Sequence, residues 1–249
     1  MRLRYAFFLF MAAGPAFSAL AQETPRTGAP ADWPLPLDDS PILTFLQADR
    51  AEYRISGGDD TYLWDTQGWI GTDRNKFWTK IEGEGSKREG LDIAEFQALY
   101  SRMVTSFFDL QSGLRQDVGP GPSRTYAVLG LQGLAPYFLE LDSALFLSDK
   151  GDLTARIEAE YDLLITQRLI GQPRVELNFA AQDVEELGIG AGLSAAELGF
   201  RLRYEIRREI APYIGVSWER AVGDSADFAR AEGRDPGTTS FVLGVRLWF

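Results

Sequence analysis

From about residue 45 to residue 249 the sequence alternates apolar and polar residues with a period of two. The segments are roughly ten residues long and are separated by clusters of Gly, Pro, Asp and Ser. In the last segment Phe241, Leu243, Val245, Leu247 and Phe249 share one face, and Ser240, Gly244 and Arg246 share the other. Leu198, Phe200, Leu202, Tyr204 and Ile206 repeat the pattern against Glu197, Arg201, Arg203 and Glu205. Leu153, Ala155, Ile157, Ala159, Tyr161 and Leu163 do so against Thr154, Arg156, Glu158, Glu160 and Asp162. Tyr137, Leu139, Leu141 and Leu145 oppose Glu140 and Asp142. Successive side chains of a strand point to opposite faces, so each segment has one apolar and one charged face.

A soluble sandwich also alternates, with one sheet face in a dry core and the other in water. Two features point instead to a barrel in a membrane. Aromatic residues recur near segment ends (Tyr53, Tyr100, Tyr126, Tyr137, Tyr161, Tyr204, Tyr213, Trp218), where interfacial girdles belong. The sequence also ends on Phe249 in the apolar register, as outer-membrane strands do. A lipid-facing Arg or Lys costs about 2–4 kcal/mol at the bilayer midplane, which explains why charge keeps to one register. No stretch after residue 21 has 18 consecutive apolar residues, so the expected spanning elements are strands. The predicted fold is an all-β, transmembrane, antiparallel up-and-down barrel.

The segments number about twelve, centred near residues 52, 64, 78, 96, 111, 128, 142, 157, 176, 201, 217 and 244. An even count returns both ends of the barrel to the periplasmic side. Placing the first loop outside makes 83–90, 117–123, 182–193 and 223–238 extracellular. The intervening connections near 70–73, 103–106, 133–136 and 207–211 are mostly shorter, which is the asymmetry of outer-membrane barrels.

Ahead of the barrel, Arg2 and Arg4 precede an uncharged run from Tyr5 to Ala21 that ends in Ala19-Leu20-Ala21. This is the pattern of a cleaved signal peptide over residues 1–21. Residues 22–44 hold five prolines and read as an extended periplasmic linker. The formal net charge of −11 argues against nucleic acid as a partner. The chain has no His and no Cys, so imidazole acid–base catalysis, thiol nucleophiles, disulfides and Cys or His metal sites are excluded. No catalytic constellation is present, and the chain reads as a non-enzyme.

The motifs Gly68-Trp69-Ile70-Gly71, Ala98-Leu99-Tyr100-Ser101-Arg102 and Phe108-Asp109-Leu110-Gln111 carry a family likeness. So do Gly119-Pro120-Gly121-Pro122-Ser123-Arg124, Gln132-Gly133-Leu134-Ala135-Pro136-Tyr137 and Glu158-Ala159-Glu160-Tyr161. They continue in Leu202-Arg203-Tyr204-Glu205-Ile206-Arg207-Arg208-Glu209, Ala211-Pro212-Tyr213-Ile214-Gly215 and Trp218-Glu219-Arg220. Through them nearly all of residues 45–249 resembles the copper resistance protein B family of Gram-negative outer-membrane proteins. The resemblance implies copper homeostasis and resistance at the outer membrane, through copper binding, export, or docking of a periplasmic multicopper oxidase.

Members of that family commonly carry a Met- and His-rich N-terminal segment, whereas residues 22–44 here contain neither. Of the three Met residues, Met1 and Met11 fall in the expected leader, leaving Met103. Copper(I) prefers thiolate and thioether, and copper(II) prefers imidazole, so the chain lacks the ligands for a soft or imidazole site of its own. Carboxylates remain. Glu140, Asp142, Glu158, Glu160 and Asp162 lie on two adjacent expected strands and, with Met103, form the candidate metal set. Acidic rings attract cations in pores.

The same carboxylates share the expected lumen with Arg156, Arg174, Arg201, Arg203 and Arg246, and with Arg50, Arg54, Lys76, Lys80 and Arg115. Small barrels fill their interiors with side chains, and buried charges persist when paired. The even mixture of signs favours an ion-paired network over a cation site. Gly119 to Pro122 and Gly188 to Gly192 read as loops, as does the acidic segment with Asp224, Asp227, Glu232 and Asp235. The alternative to a copper role is a narrow general-solute channel, or a structural barrel without copper function.

Overall fold

The computed structural model describes residues 41–88 and 90–249. The expected signal peptide, and the expected linker as far as residue 40, lie outside the described residues. Twelve antiparallel strands follow one another around a closed sheet. They are β1 (Leu43–Ser56), β2 (Thr61–Gly71), β3 (Asn75–Ser86), β4 (Gly90–Met103), β5 (Phe108–Val118) and β6 (Arg124–Ala135). β7 (Leu139–Ser148) and β8 (Leu153–Tyr161) come next; β8 breaks at Asp162 and resumes over Leu163–Leu164. β9 (Leu169–Ala180), β10 (Gly192–Tyr204), β11 (Ile210–Ala221) and β12 (Gly237–Trp248) complete the ring. Each strand pairs with its sequence neighbour, and β12 closes on β1, setting Leu243 against Tyr53 and Phe241 against Ile55. Closure leaves no unpaired edge, which a bilayer interior would penalise by several kcal/mol per orphaned backbone group.

Exposure is inverted relative to a water-soluble protein. Leu114 on β5 is 60% exposed, whereas Arg201 on β10 is 2% exposed. Phe77, Phe96, Leu129, Leu145, Phe200 and Ile214 are likewise exposed on the outer face. Arg50, Glu52, Arg54, Arg174 and Arg203 are buried inside. An apolar exterior around a charged interior is the arrangement that lipid solvation demands. No helix among the described residues is long and apolar enough to cross a membrane; the strands do so.

Register irregularities place individual side chains. A bulge between Ala48 and Arg50 shifts the parity of β1, so that Gln47 and Arg50 are both buried in the lumen. Two of the expected girdle aromatics also point inward. Tyr126 and Tyr213 are each 6% exposed, and the Tyr213 hydroxyl donates to Glu52 at 3.1 Å. Their strand parity is that of the charged face, so closeness to a strand end did not decide their direction. Tyr213 has room because its ladder partner is Gly244, where an added Cβ would lie 2.5 Å from the ring. Tyr53, Tyr100, Tyr137 and Tyr204 are exposed, as girdle residues are.

One end of the barrel gathers the connections 57–60, 87–88, 119–123, 149–152, 181–191 and 222–236, and the other gathers 72–74, 104–107, 136–138, 165–168 and 205–209. The segment expected as a loop over 223–238 contains a helix, α1 (Asp224–Ala231). Asp224 and Asp227 occupy its first turn and Arg230 its last, the charge order that suits the helix dipole. Ser225 on α1 accepts a hydrogen bond from the Gly190 amide at 2.7 Å, which joins the two longest connections.

The barrel lumen as candidate functional site

The strands line the lumen asymmetrically. On the β2–β7 side an apolar cluster of Trp78, Leu99, Tyr126, Val128 and Phe146 projects inward, extended by Trp69. Each of these residues shares parity with charged lumen residues of its own strand, for instance Trp78 with Lys76 and Lys80. Alternation alone leads one to expect polar residues at inward positions, which misses this cluster; parity within β3 and β7 is the signal that finds it. On the β8–β1 side the lining is charged and paired. Arg174 on β9 reaches Glu158 at 2.6 Å, Glu160 at 3.1 Å and Glu176 at 2.5 Å. Arg201 holds Glu52 at 2.6 Å, and Arg54 bridges Glu52 at 3.0 Å and Glu197 at 3.1 Å.

Several pairs connect strands that are not neighbours. Arg156 on β8 reaches Glu82 on β3 at 3.0 Å and Glu95 on β4 at 3.1 Å. Lys80 on β3 pairs with Asp142 on β7. These pairs cross the lumen and brace the ring from inside.

Two cavities stand out in the lumen. A cavity of about 810 Å³ lies toward the short-turn end, lined among others by Asp73, Lys76, Trp78, Met103, Asp109 and Phe107. A second, of about 520 Å³, lies toward the long-loop end and includes Asp117, Arg124, Asp152, Val184, Ile189 and Glu219 in its wall.

Of the inward charges expected on β7 and β8, Glu140, Asp142, Arg156, Glu158 and Glu160 line the lumen, whereas Asp162 lines neither cavity. The ladder sets Glu140 against Glu160 and Asp142 against Glu158. These four carboxylates and Met103 line the larger cavity. Asp162 sits at the break in β8 and binds Arg203 at 2.7 Å. Asp142, Glu158, Glu160 and Asp162 are therefore all ion-paired, whereas Glu140 has no ion pair among the described residues. No group of three or more acidic side chains among the described residues is arranged to hold a metal ion.

At the long-loop end Glu186 is clamped between Lys150 at 2.8 Å and Arg124 at 3.0 Å. Hydrogen bonds from Lys150 and then Arg124 hold its carboxyl below the usual range. Asp152, beside it, is raised by partial desolvation but lowered more by hydrogen bonds from Gln182, Ser148 and Arg124, so its net shift is downward.

Comparison with known proteins decides the family. The family model described as copper resistance protein B precursor matches residues 42–249. The chain belongs to the copper resistance protein B family. Within that family, the copper resistance protein B of Escherichia coli is 44% identical over 213 residues, covering 86% of this chain and 72% of that protein. The copper resistance protein B homolog of Pseudomonas syringae pv. tomato is 43% identical over 211 residues, covering 85% of this chain and 71% of that protein. Among solved structures, the NanC porin superposes with a TM-score of 0.55 at 16% identity, covering 81% of this chain and 98% of that one, a likeness of fold alone. This copper resistance protein B family member is an outer-membrane β-barrel.

Proposed function

We propose that the protein acts in copper resistance at the outer membrane, with copper as cargo rather than as a resident cofactor. The observation that carries this reading is the family match across the whole barrel, supported by the two relatives above 40% identity. Two mechanisms fit: passage of copper or a copper complex through the lumen, or docking of a periplasmic multicopper oxidase at the short-turn end. In either, we take Glu140, Asp142, Glu158 and Glu160 to give the larger cavity an acidic wall that attracts cations, with Met103 in the same lining and Asp162 outside it.

The residues present do not fit a tight copper site. The chain has no His and no Cys, Met103 is the one thioether among the described residues, and four of the five carboxylates are engaged by Arg or Lys. A partner that supplies soft ligands reconciles the family role with this composition. The protein is read as a non-enzyme on the strength of its family and of a lumen whose carboxylates are mostly ion-paired.

Deletion of the gene, with complementation by the intact chain, tests the reading. Copper-sensitive growth that the chain rescues supports it. Unchanged copper tolerance together with altered uptake of small solutes would transfer the barrel to the general-solute channels.

A further inference from the structure

The two cavities of the lumen are lined by different residues except for two, Phe146 and Arg156, which belong to both walls. Arg156 starts on β8 and ends on the opposite side of the barrel. Its guanidinium reaches Glu82 at 3.0 Å and Glu95 at 3.1 Å, with Glu176 of β9 at 3.5 Å. It also lies 5.8 Å from the centre of the Phe146 ring. Arg115 covers the same ring at 4.6 Å and is itself held by Glu95 at 2.8 Å and Asp117 at 2.7 Å. A guanidinium over an aromatic face is an attractive contact that strengthens away from water. The partition is thus fixed at both ends: ion pairs hold the tip of Arg156, and Phe146 supports its plane. Arg50, Arg174 and Arg201 are buried and line neither cavity.

We propose that Arg156, seated on Phe146, is the gate that separates the two cavities and determines what the barrel conducts. With Arg156 in place, the lumen is two vestibules. When it leaves, the vestibules join, and Glu82, Glu95 and Glu176 lose one shared cation while keeping Arg50, Arg115 and Arg174 respectively. One positive charge fewer at a constriction lined by carboxylates shifts conduction toward cations. Gate and selectivity then reside in one side chain. This inference rests on the conduit mechanism of the proposed function and names the residue that controls it.

The test is conductance of the full chain in planar lipid bilayers bathed in potassium chloride, a readout that does not involve copper. Wild-type protein is expected to give no sustained steps. Arg156→Ala is expected to give discrete steps, with a reversal potential displaced toward the cation value in a salt gradient. Phe146→Ala, which removes the seat but leaves the ion pairs, is expected to give steps with weaker cation preference.

Wild-type steps as large as those of Arg156→Ala would overturn the proposal. So would silence from an Arg156→Ala protein whose gel mobility still changes on heating, as that of a folded barrel does. If Arg156→Ala does not fold, Phe146→Ala decides: steps support the gate and silence overturns it. Loss of the copper role in growth assays with gating intact would overturn the proposed function alone.

Discussion

Glu140 and Glu160 stand directly opposite each other across the β7–β8 ladder, and two residues along it Asp142 faces Glu158. Like charges so placed repel, which is tolerable only with cations close by. Arg174 supplies much of the compensation, touching Glu158, Glu160, Glu176 and, at 3.3 Å, Glu197, with its side chain 1% exposed. Removing one partner from a buried ionic network costs about 3–5 kcal/mol because the remaining charges lose their compensation. Arg174→Ala is therefore expected to lower the urea midpoint of unfolding markedly. Arg208→Ala, which removes an exposed pair with Glu205, is expected to change it little. Equal midpoints for the two variants would contradict the network.

The strand order and the two faces were legible in the sequence because a bilayer tolerates charge on one face of each strand only. Leu198 and Phe200 against Arg201 and Arg203 gave both the register and its direction. The adjacency of Glu140 and Asp142 with Glu158 and Glu160 followed from consecutive strands joined by a short connection. What could not be read was pairing across the lumen. That Arg156 meets Glu82, 74 residues earlier, depends on barrel closure and side-chain reach, which no local period encodes. The inward turn of Tyr126 and Tyr213 was readable from parity but conflicted with their positions near strand ends. Helix α1 was hidden because its eight residues include three that are charged, within a segment that otherwise looks like loop.

The lipid face makes a separate prediction. Leu114 lies mid-strand on β5 and is among the most exposed aliphatic residues of the outer wall. Leu114→Arg is expected to destabilise the folded barrel by about 2–4 kcal/mol. Leu114→Ala should cost much less, because the residue packs mainly against lipid. Denaturant titration of both variants in lipid vesicles measures the difference. An arginine tolerated as well as an alanine would mean that this face does not meet hydrocarbon.

Acid should loosen the long-loop end before the barrel itself opens. Glu186 and Asp152 are both held below their ordinary ranges, of about 4.5 and 3.8. A depressed carboxylate contributes stability above its unfolded pKa, and that contribution disappears as pH falls through the folded value. The clamp joining the 149–152 turn to the 181–191 connection is therefore intact at neutral pH, begins to weaken as pH falls below about 4.5 and is lost through the lower folded values. Limited proteolysis with an acid-active protease should show cleavage within 181–191 rising over that range. Glu186→Gln should be cleaved more readily already at pH 6. Cleavage independent of both pH and the substitution would remove the clamp from the account.

The chemistry of the larger cavity sets an expectation for copper itself. Met103 lines that cavity as a single thioether, Glu140 is the one carboxylate of the candidate set without an ion pair among the described residues, and no imidazole or thiolate exists in the chain to join them. One soft ligand and one hard ligand do not discriminate copper from other divalent ions. Metal analysis and calorimetric titration of the detergent-purified protein are expected to show weak, unselective binding. Met103→Leu should leave it unchanged, and Glu140→Gln should reduce it modestly. Selective binding at micromolar or tighter concentration that Met103→Leu abolishes would show that the ion-paired carboxylates release their cations to build a site. Copper would then act as a ligand that reorganises the network, and Lys80 and Arg174, which hold Asp142 and Glu158, would be the side chains it displaces.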